Sequence, residues 1–167
     1  LLDFFLRRET KTLVKNKVRL LTIGRTDAMP EAVRKRLEAA KAATCHFSKS
    51  TLVLALNYGS RTEILDAVGA YARDVAAGKQ EPKNLSWEVF NRFLYTADIP
   101  DPDLVIRTSG ELRISNFLLL QSAYAEFIFS PVLWPDFTRE HFAAALAEYA
   151  GRERRFGLTS EQLATAK

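Results

Sequence analysis

The spacing of apolar residues changes period along the chain, and those changes mark its elements. Leu2, Phe5, Leu6, Leu13 and Val14 form an incomplete helical stripe among Arg, Lys and Glu, which predicts an amphipathic helix over residues 1–17. Val18 to Ile23 reads as a strand that ends at Gly24. Pro30 before Glu31 suits a helix start, and Val33, Leu37 and Ala40 keep helical spacing as far as Thr44. Thr51 to Leu56 is a short, near-continuous apolar run, the pattern of a strand buried on both faces. After Asn57-Tyr58-Gly59, the residues Ile64, Val68, Tyr71, Ala72 and Val75 return to helical spacing up to Gly78. Ser86 is placed to cap a helix carrying Val89, Phe90 and Phe93.

Pro100 and Pro102 bracket the entry to a strand at Leu104–Ile106, and Ser115 precedes an apolar helical segment that it would cap. Ala125 to Phe129 reads as the last strand. Thr138 caps a final helix with Phe142, Leu146 and Tyr149 on its inner face. Strands alternating with helices predict an α/β fold: a mostly parallel central sheet with helices on both faces. Length places one domain over residues 1–157, followed by a polar C-terminal tail, 158–167.

Composition narrows the class without choosing a function. Of 167 residues, 47% are apolar and 26% charged, ordinary for a soluble globular chain. No apolar run approaches the ~20 residues that span a bilayer. The start, Leu1-Leu2-Asp3, lacks a basic n-region, so a cytoplasmic location is expected. The single Cys45 rules out an internal disulfide, and with only His46 and His141 besides, no zinc cluster is expected. A net charge of +4 permits an anionic partner without choosing one. There is no Gly-x-Gly-x-x-Gly, and the P-loop position before Gly78-Lys79 holds Arg73.

The chemistry concentrates between Asp103 and Phe137. The strand Leu104–Ile106 delivers Arg107 at its carboxyl end, where open α/β sheets bind ligands. Thr108, Ser109 and Gly110 favour a turn, and Arg113 follows. The guanidinium fork matches phosphate oxygens in pairs, and a helix N-terminus at Ser115 would add backbone N–H donors. Arg107, Arg113 and Ser115 would then converge on one phosphate or diphosphate, with Glu126 as a carboxylate for Mg²⁺ on that diphosphate. The plainer alternative is a pair of surface arginines balanced by Glu111, with Glu126 paired to a structural arginine.

The run Asp-Leu-Val-Ile-Arg107-Thr-Ser-Gly-Glu-Leu-Arg113-Ile-Ser115-Asn-Phe, then Ala-Tyr-Ala-Glu126-Phe and Trp134-Pro-Asp-Phe, closely resembles the signature of the cis-prenyltransferases, whose best-known members are undecaprenyl diphosphate synthases. Val18-Arg-Leu with Ile23-Gly24, Asn57-Tyr-Gly-Ser-Arg61 and Arg152-Glu-Arg-Arg155-Phe-Gly157 resemble further family segments. The resemblance implies a transferase that joins isopentenyl diphosphate to an allylic diphosphate such as farnesyl diphosphate. Arg107, Arg113, Ser115 and the Ile114 backbone would bind the isopentenyl diphosphate. Glu126 would help hold Mg²⁺. Arg155 and Gly157 fit an Arg-x-Gly motif that reaches the diphosphate of a neighbouring subunit in a homodimer. Peripheral membrane contact through the polyprenyl product is also implied.

The departures from the family pattern are specific. Ser60 and Ser109 each replace a glycine, tolerable where the backbone is not left-handed. Leu112 stands where many members have a polar residue, and Leu120 where tryptophan is common. The family's Asp-Gly-Asn segment, with its essential aspartate, does not occur, so no catalytic residue is assigned in this chain. An N-terminally truncated synthase, inactive by itself, is the expectation. A non-catalytic subunit of a prenyltransferase complex is one alternative. A basic α/β nucleic-acid-binding module is another, but no aromatic-rich basic stripe supports it, and nucleic acid is not an expected partner.

Overall fold

The computed structural model describes residues 2–152. The chain divides into two compact units, Leu1–Ile99 and Pro100–Lys167.

The first unit holds α1 (Leu2–Lys15), β1 (Val18–Ile23), α2 (Glu31–Thr44), β2 (Ser50–Ala55), α3 (Ser60–Ala76) and α4 (Trp87–Asn91). β1 and β2 pair in parallel, from Val18 opposite Ser50 to Ile23 opposite Ala55. One face of this pair and the apolar stripes of α1 and α2 share a core of Leu6, Leu20, Leu37 and Ala40, with Leu2, Leu13, Leu52, Leu54 and Leu56 packed against it. Burying each such leucine is worth roughly 1.5–3 kcal/mol. Thr44, fully buried, serves two elements: its hydroxyl donates to the Ala40 carbonyl at 2.9 Å and accepts the Leu20 N–H at 3.0 Å. β2 is half-buried rather than buried on both faces.

Both strands end in turns that the sequence signals locally. Gly24 has φ +99°, and a Cβ there would stand 2.2 Å from the Leu56 carbonyl oxygen, so only glycine fits. Asn57, at φ +48°, donates its side-chain amide to the Arg25 carbonyl at 3.0 Å, while Arg25 N–H donates to the Asn57 carbonyl at 3.3 Å. Ser86 caps α4 as expected, its hydroxyl accepting from Val89 N–H at 3.3 Å.

The second unit holds β3 (Leu104–Arg107), β4 (Glu126–Phe129) and α5 (Arg139–Ala150). β3 and β4 are also parallel, Leu104 opposite Glu126 and Arg107 opposite Phe129. Thr138 caps α5 in a capping box whose N3 residue is His141. On α5 the buried residue is Ala145, while Phe142 and Leu146, expected on the inner face, are 48% and 42% exposed.

The helix expected after Ser115 does not form. Ser115, Asn116 and Leu118 have φ of +52°, +62° and +47°, a left-handed backbone that a right-handed helix cannot contain. The stretch folds instead as successive turns, with Phe117 N–H donating to the Ile114 carbonyl at 3.3 Å and Ser122 N–H to the Leu118 carbonyl at 2.8 Å. It buries Gln121 and Ser122 and exposes Phe117 and Leu119. That distribution deprives it of the apolar face from which most helices in proteins draw their stability.

Candidate active site

Side chains alternate across a strand, and this divides the second unit's strand pair into two chemically different faces. Val105, Arg107, Phe127 and Phe129 share one face; Leu104, Ile106, Glu126 and Ile128 share the other. The first face, together with Ile106 and with Arg113, Ile114 and Phe117 from the turns beyond β3, lines a cavity of about 140 Å³. Phe127 and Phe129 stack within it, ring centroids 6.0 Å apart and planes 16° from parallel.

Arg107 ends β3 and is half-buried. Among the described residues its guanidinium carries no hydrogen bond or ion pair. Ser130 N–H donates to its backbone carbonyl at 2.7 Å, which fixes the arginine's base. Just beyond, Ser109 N–H donates to the Val132 carbonyl at 2.8 Å and Gly110 N–H to the Ser130 carbonyl at 2.9 Å. Arg113 is paired with Glu111 and is 67% exposed on its side chain. The cavity is therefore aromatic, with one unpartnered and one loosely partnered arginine at its lining.

The expected residues are only partly gathered. Arg107, Arg113 and Ile114 line one cavity. Ser115 does not line it and caps no helix, so the helix N-terminus expected to strengthen anion binding is not part of this site. Glu126 lies on the opposite strand face and at the other end of the pair, where its carboxylate accepts from Arg152 at 2.8 Å. Among the described residues, no group of three or more His, Cys, Asp or Glu is placed to hold a metal ion. One carboxylate already held by a guanidinium does not fit a Mg²⁺ site. Arg155 and Gly157 lie outside the described residues.

Residues 1–157 match the sequence model of the prenyltransferase family described as undecaprenyl diphosphate synthase. The chain belongs to the cis-prenyltransferases. It is 48% identical over 160 residues to the isoprenyl transferase of Thermotoga maritima, covering 94% of this chain and 68% of that one. With the isoprenyl transferase of Heliobacterium mobile it shares 49% identity, covering 94% and 60%. Among solved structures it is similar to lavandulyl diphosphate synthase from Lavandula x intermedia in complex with dimethylallyl diphosphate, with TM-score 0.89, 34% identity and 93% and 68% coverage. A probable undecaprenyl diphosphate synthase from Campylobacter jejuni follows at TM-score 0.80, 36% identity and 93% and 71% coverage. The chain spans from under two thirds to just over two thirds of the length of these curated relatives. The α/β fold of a prenyl-transferring enzyme is thus established, and the nucleic-acid alternative is not favoured.

Within this cis-prenyltransferase, the two serine departures behave oppositely. Ser60 opens α3 without a positive φ, is buried, and its hydroxyl lies 3.1 Å from that of Tyr58. Ser109 has φ +68°, the left-handed conformation that the replaced glycine would adopt freely, and carries the steric cost of its Cβ. Leu112 projects into solvent at 77% exposure.

Motif reading missed a polar cluster in the first unit. Glu63, fully buried on α3, accepts from the Tyr58 hydroxyl at 2.5 Å and the Tyr95 N–H at 2.9 Å. One turn on, Asp66 accepts from both Nε (2.9 Å) and Nη2 (2.5 Å) of Arg25 and from the Tyr95 hydroxyl. Arg25 and then Tyr95 hold the Asp66 carboxyl down to about 2. The signal available was two carboxylates three residues apart on a helix, a spacing that shares one face.

Proposed function

We propose that the second unit carries the isopentenyl diphosphate site of a cis-prenyltransferase, whose reaction condenses that substrate with an allylic diphosphate such as farnesyl diphosphate. The observation that carries this reading is Arg107: a half-buried guanidinium, unpartnered among the described residues, at an aromatic-lined cavity. A buried cation without a counter-ion is costly, and a diphosphate supplies the missing charge in paired oxygens. Arg113 reaches the same cavity and would exchange Glu111 for phosphate. Phe117, Phe127, Phe129 and Val105 offer the short isoprenoid chain an apolar wall.

The leaving diphosphate of the allylic partner needs charge stabilisation, so Mg²⁺ is the cofactor the reaction calls for. Among the described residues, no group of three or more His, Cys, Asp or Glu assembles to hold it. A homodimer is part of the same proposal, supported by the exposed Trp134, Leu133 and Phe142. So are a cytoplasmic location and membrane contact through the product. No helix among the described residues is long and apolar enough to cross a membrane.

Calorimetric titration with isopentenyl diphosphate tests the site directly. Because the chain contains no Asp-Gly-Asn segment, binding rather than turnover is the readout. Saturable binding that weakens at least tenfold in Arg107→Ala is expected. Equal affinity in wild type and variant overturns the reading.

A further inference from the structure

One side chain fastens the end of α5 to the start of β4. Arg152 follows the C-cap Gly151, and its Nη1 donates to Glu126 Oε2 at 2.8 Å and to the Phe127 carbonyl at 3.0 Å. Its Nη2 donates to Glu148 Oε1 at 2.5 Å. Glu126 is the first residue of β4, and Glu148 lies in the last turn of α5. The planar fork of arginine suits this work, because its donors point in fixed, diverging directions. The side chains of Arg152 and Glu126 are only 33% and 27% exposed, which shields the pair from some of the screening that weakens surface ion pairs. Both carboxylates raise the basicity of the guanidinium, Glu126 first.

The same geometry opposes a metal ion. Mg²⁺ demands near-octahedral oxygen ligands and takes one or two carboxylates alongside phosphates. Here one oxygen of Glu126 already faces a full positive charge, and a second cation at the same carboxylate would meet that charge at short range.

We propose that Arg152 is a positioning residue that locks α5 to β4 through Glu126 and Glu148, and that Glu126 serves this lock and is not a metal ligand. In the sequence, Arg152 is the first residue of the Arg152-Glu-Arg-Arg155-Phe-Gly157 segment.

The test uses the full chain as wild type, Glu126→Gln, Arg152→Met, Arg152→Lys and the Glu126→Gln/Arg152→Met double variant. Thermal unfolding is followed in metal-free buffer, and Mn²⁺ binding by electron paramagnetic resonance. Each disruptive single variant is expected to lower Tm by about 4 °C. The double variant should fall no further than the worse single, and Arg152→Lys should recover part of the loss. Mn²⁺ affinity should stay within twofold in Glu126→Gln, or be undetectable in wild type and variant alike. Additive losses, no loss of Tm, or a tenfold weakening of Mn²⁺ in Glu126→Gln would each overturn the proposal. If Arg152→Met does not fold, the same cycle is run with Arg152→Lys. Isopentenyl diphosphate affinity, measured on the same variants, reports on the Arg107 site and separates failure of that reading from failure of this one.

Discussion

The carboxylates of α3 in the first unit and the cavity arginine of the second are treated in opposite ways. In Leu1–Ile99 the polar groups are closed on one another: Glu63 is enclosed by Tyr58 and Tyr95, and Asp66 by Arg25 and Tyr95, beside a leucine core. In Pro100–Lys167 Arg107 is left open beside the aromatic rings of one cavity, while Arg152 is closed on Glu126 and Glu148. A closed network spends its hydrogen bonds on stability, whereas an open cation within an apolar wall is poised for a ligand.

The largest effect is expected in the leucine core. Leu20→Ala is expected to cost about 2–5 kcal/mol of stability, since Leu20 is 1% exposed and a cavity follows its truncation. Phe129→Ala, at a 39% exposed residue of the open face, should cost clearly less. Urea denaturation of both variants decides whether the first unit carries the greater share of the stability.

Next in size is the contrast between the two cavity arginines. Arg107→Ala should lose about 1.5–3 kcal/mol of isopentenyl diphosphate binding, the range of a charged hydrogen-bonding partner. Arg113→Ala should lose less, because Arg113 is exposed and surrenders an ion pair with Glu111 in order to bind. Calorimetry that finds Arg113 dominant would place the anion on the turn, away from the strand end.

A smaller gain is expected at Ser109. Replacing it with glycine removes the left-handed strain and should stabilise the chain by about 1 kcal/mol, read from the urea midpoint. The effect of acid comes last, because the Arg25–Asp66 pair is partly exposed and solvent screens it. The carboxyl of Asp66 is held at about 2 by Arg25 and Tyr95, below its ordinary value near 4. A depressed carboxylate contributes stability above its unfolded value and loses it as pH falls toward its folded one. Stability should therefore decline between about pH 4 and 2, and Asp66→Asn should flatten that limb, as measured by denaturation across the range.

Most of the elements were legible because their signals are local. The period of Leu2, Leu6 and Leu13 gave α1, the apolar run before Gly24 gave β1, and Ser86 and Thr138 announced their helices as capping residues do. The region after Ser115 was not legible. A hydroxyl before Phe117-Leu-Leu-Leu carries every local mark of a capped helix, yet the backbone there turns left-handed and buries Gln121 in place of the leucines. Propensity is a weak prior where tertiary context decides which side chains are covered. The candidate site was legible only where its residues are close in sequence. Arg107 and Arg113 were placed together because a strand end and its following turn share a location, whatever the turn's details. For Glu126 the plainer alternative, a pairing with a structural arginine, is the one seen, but its partner Arg152 is twenty-six residues away and only the fold identifies it.

The alternation along β3 has a consequence for how this chain tolerates change over generations. The strand is four residues long, and what it presents is a parity: Val105 and Arg107 share one face of the strand pair, Leu104 and Ile106 the other. Exchanging Val105 for another aliphatic residue keeps that parity. Inserting or losing one residue between Asp103 and Arg107 inverts it and turns the arginine to the side of Glu126. For this segment, a change in count is far more damaging than a change in identity, and lineages that keep the site should vary in the letters of β3 while holding its length.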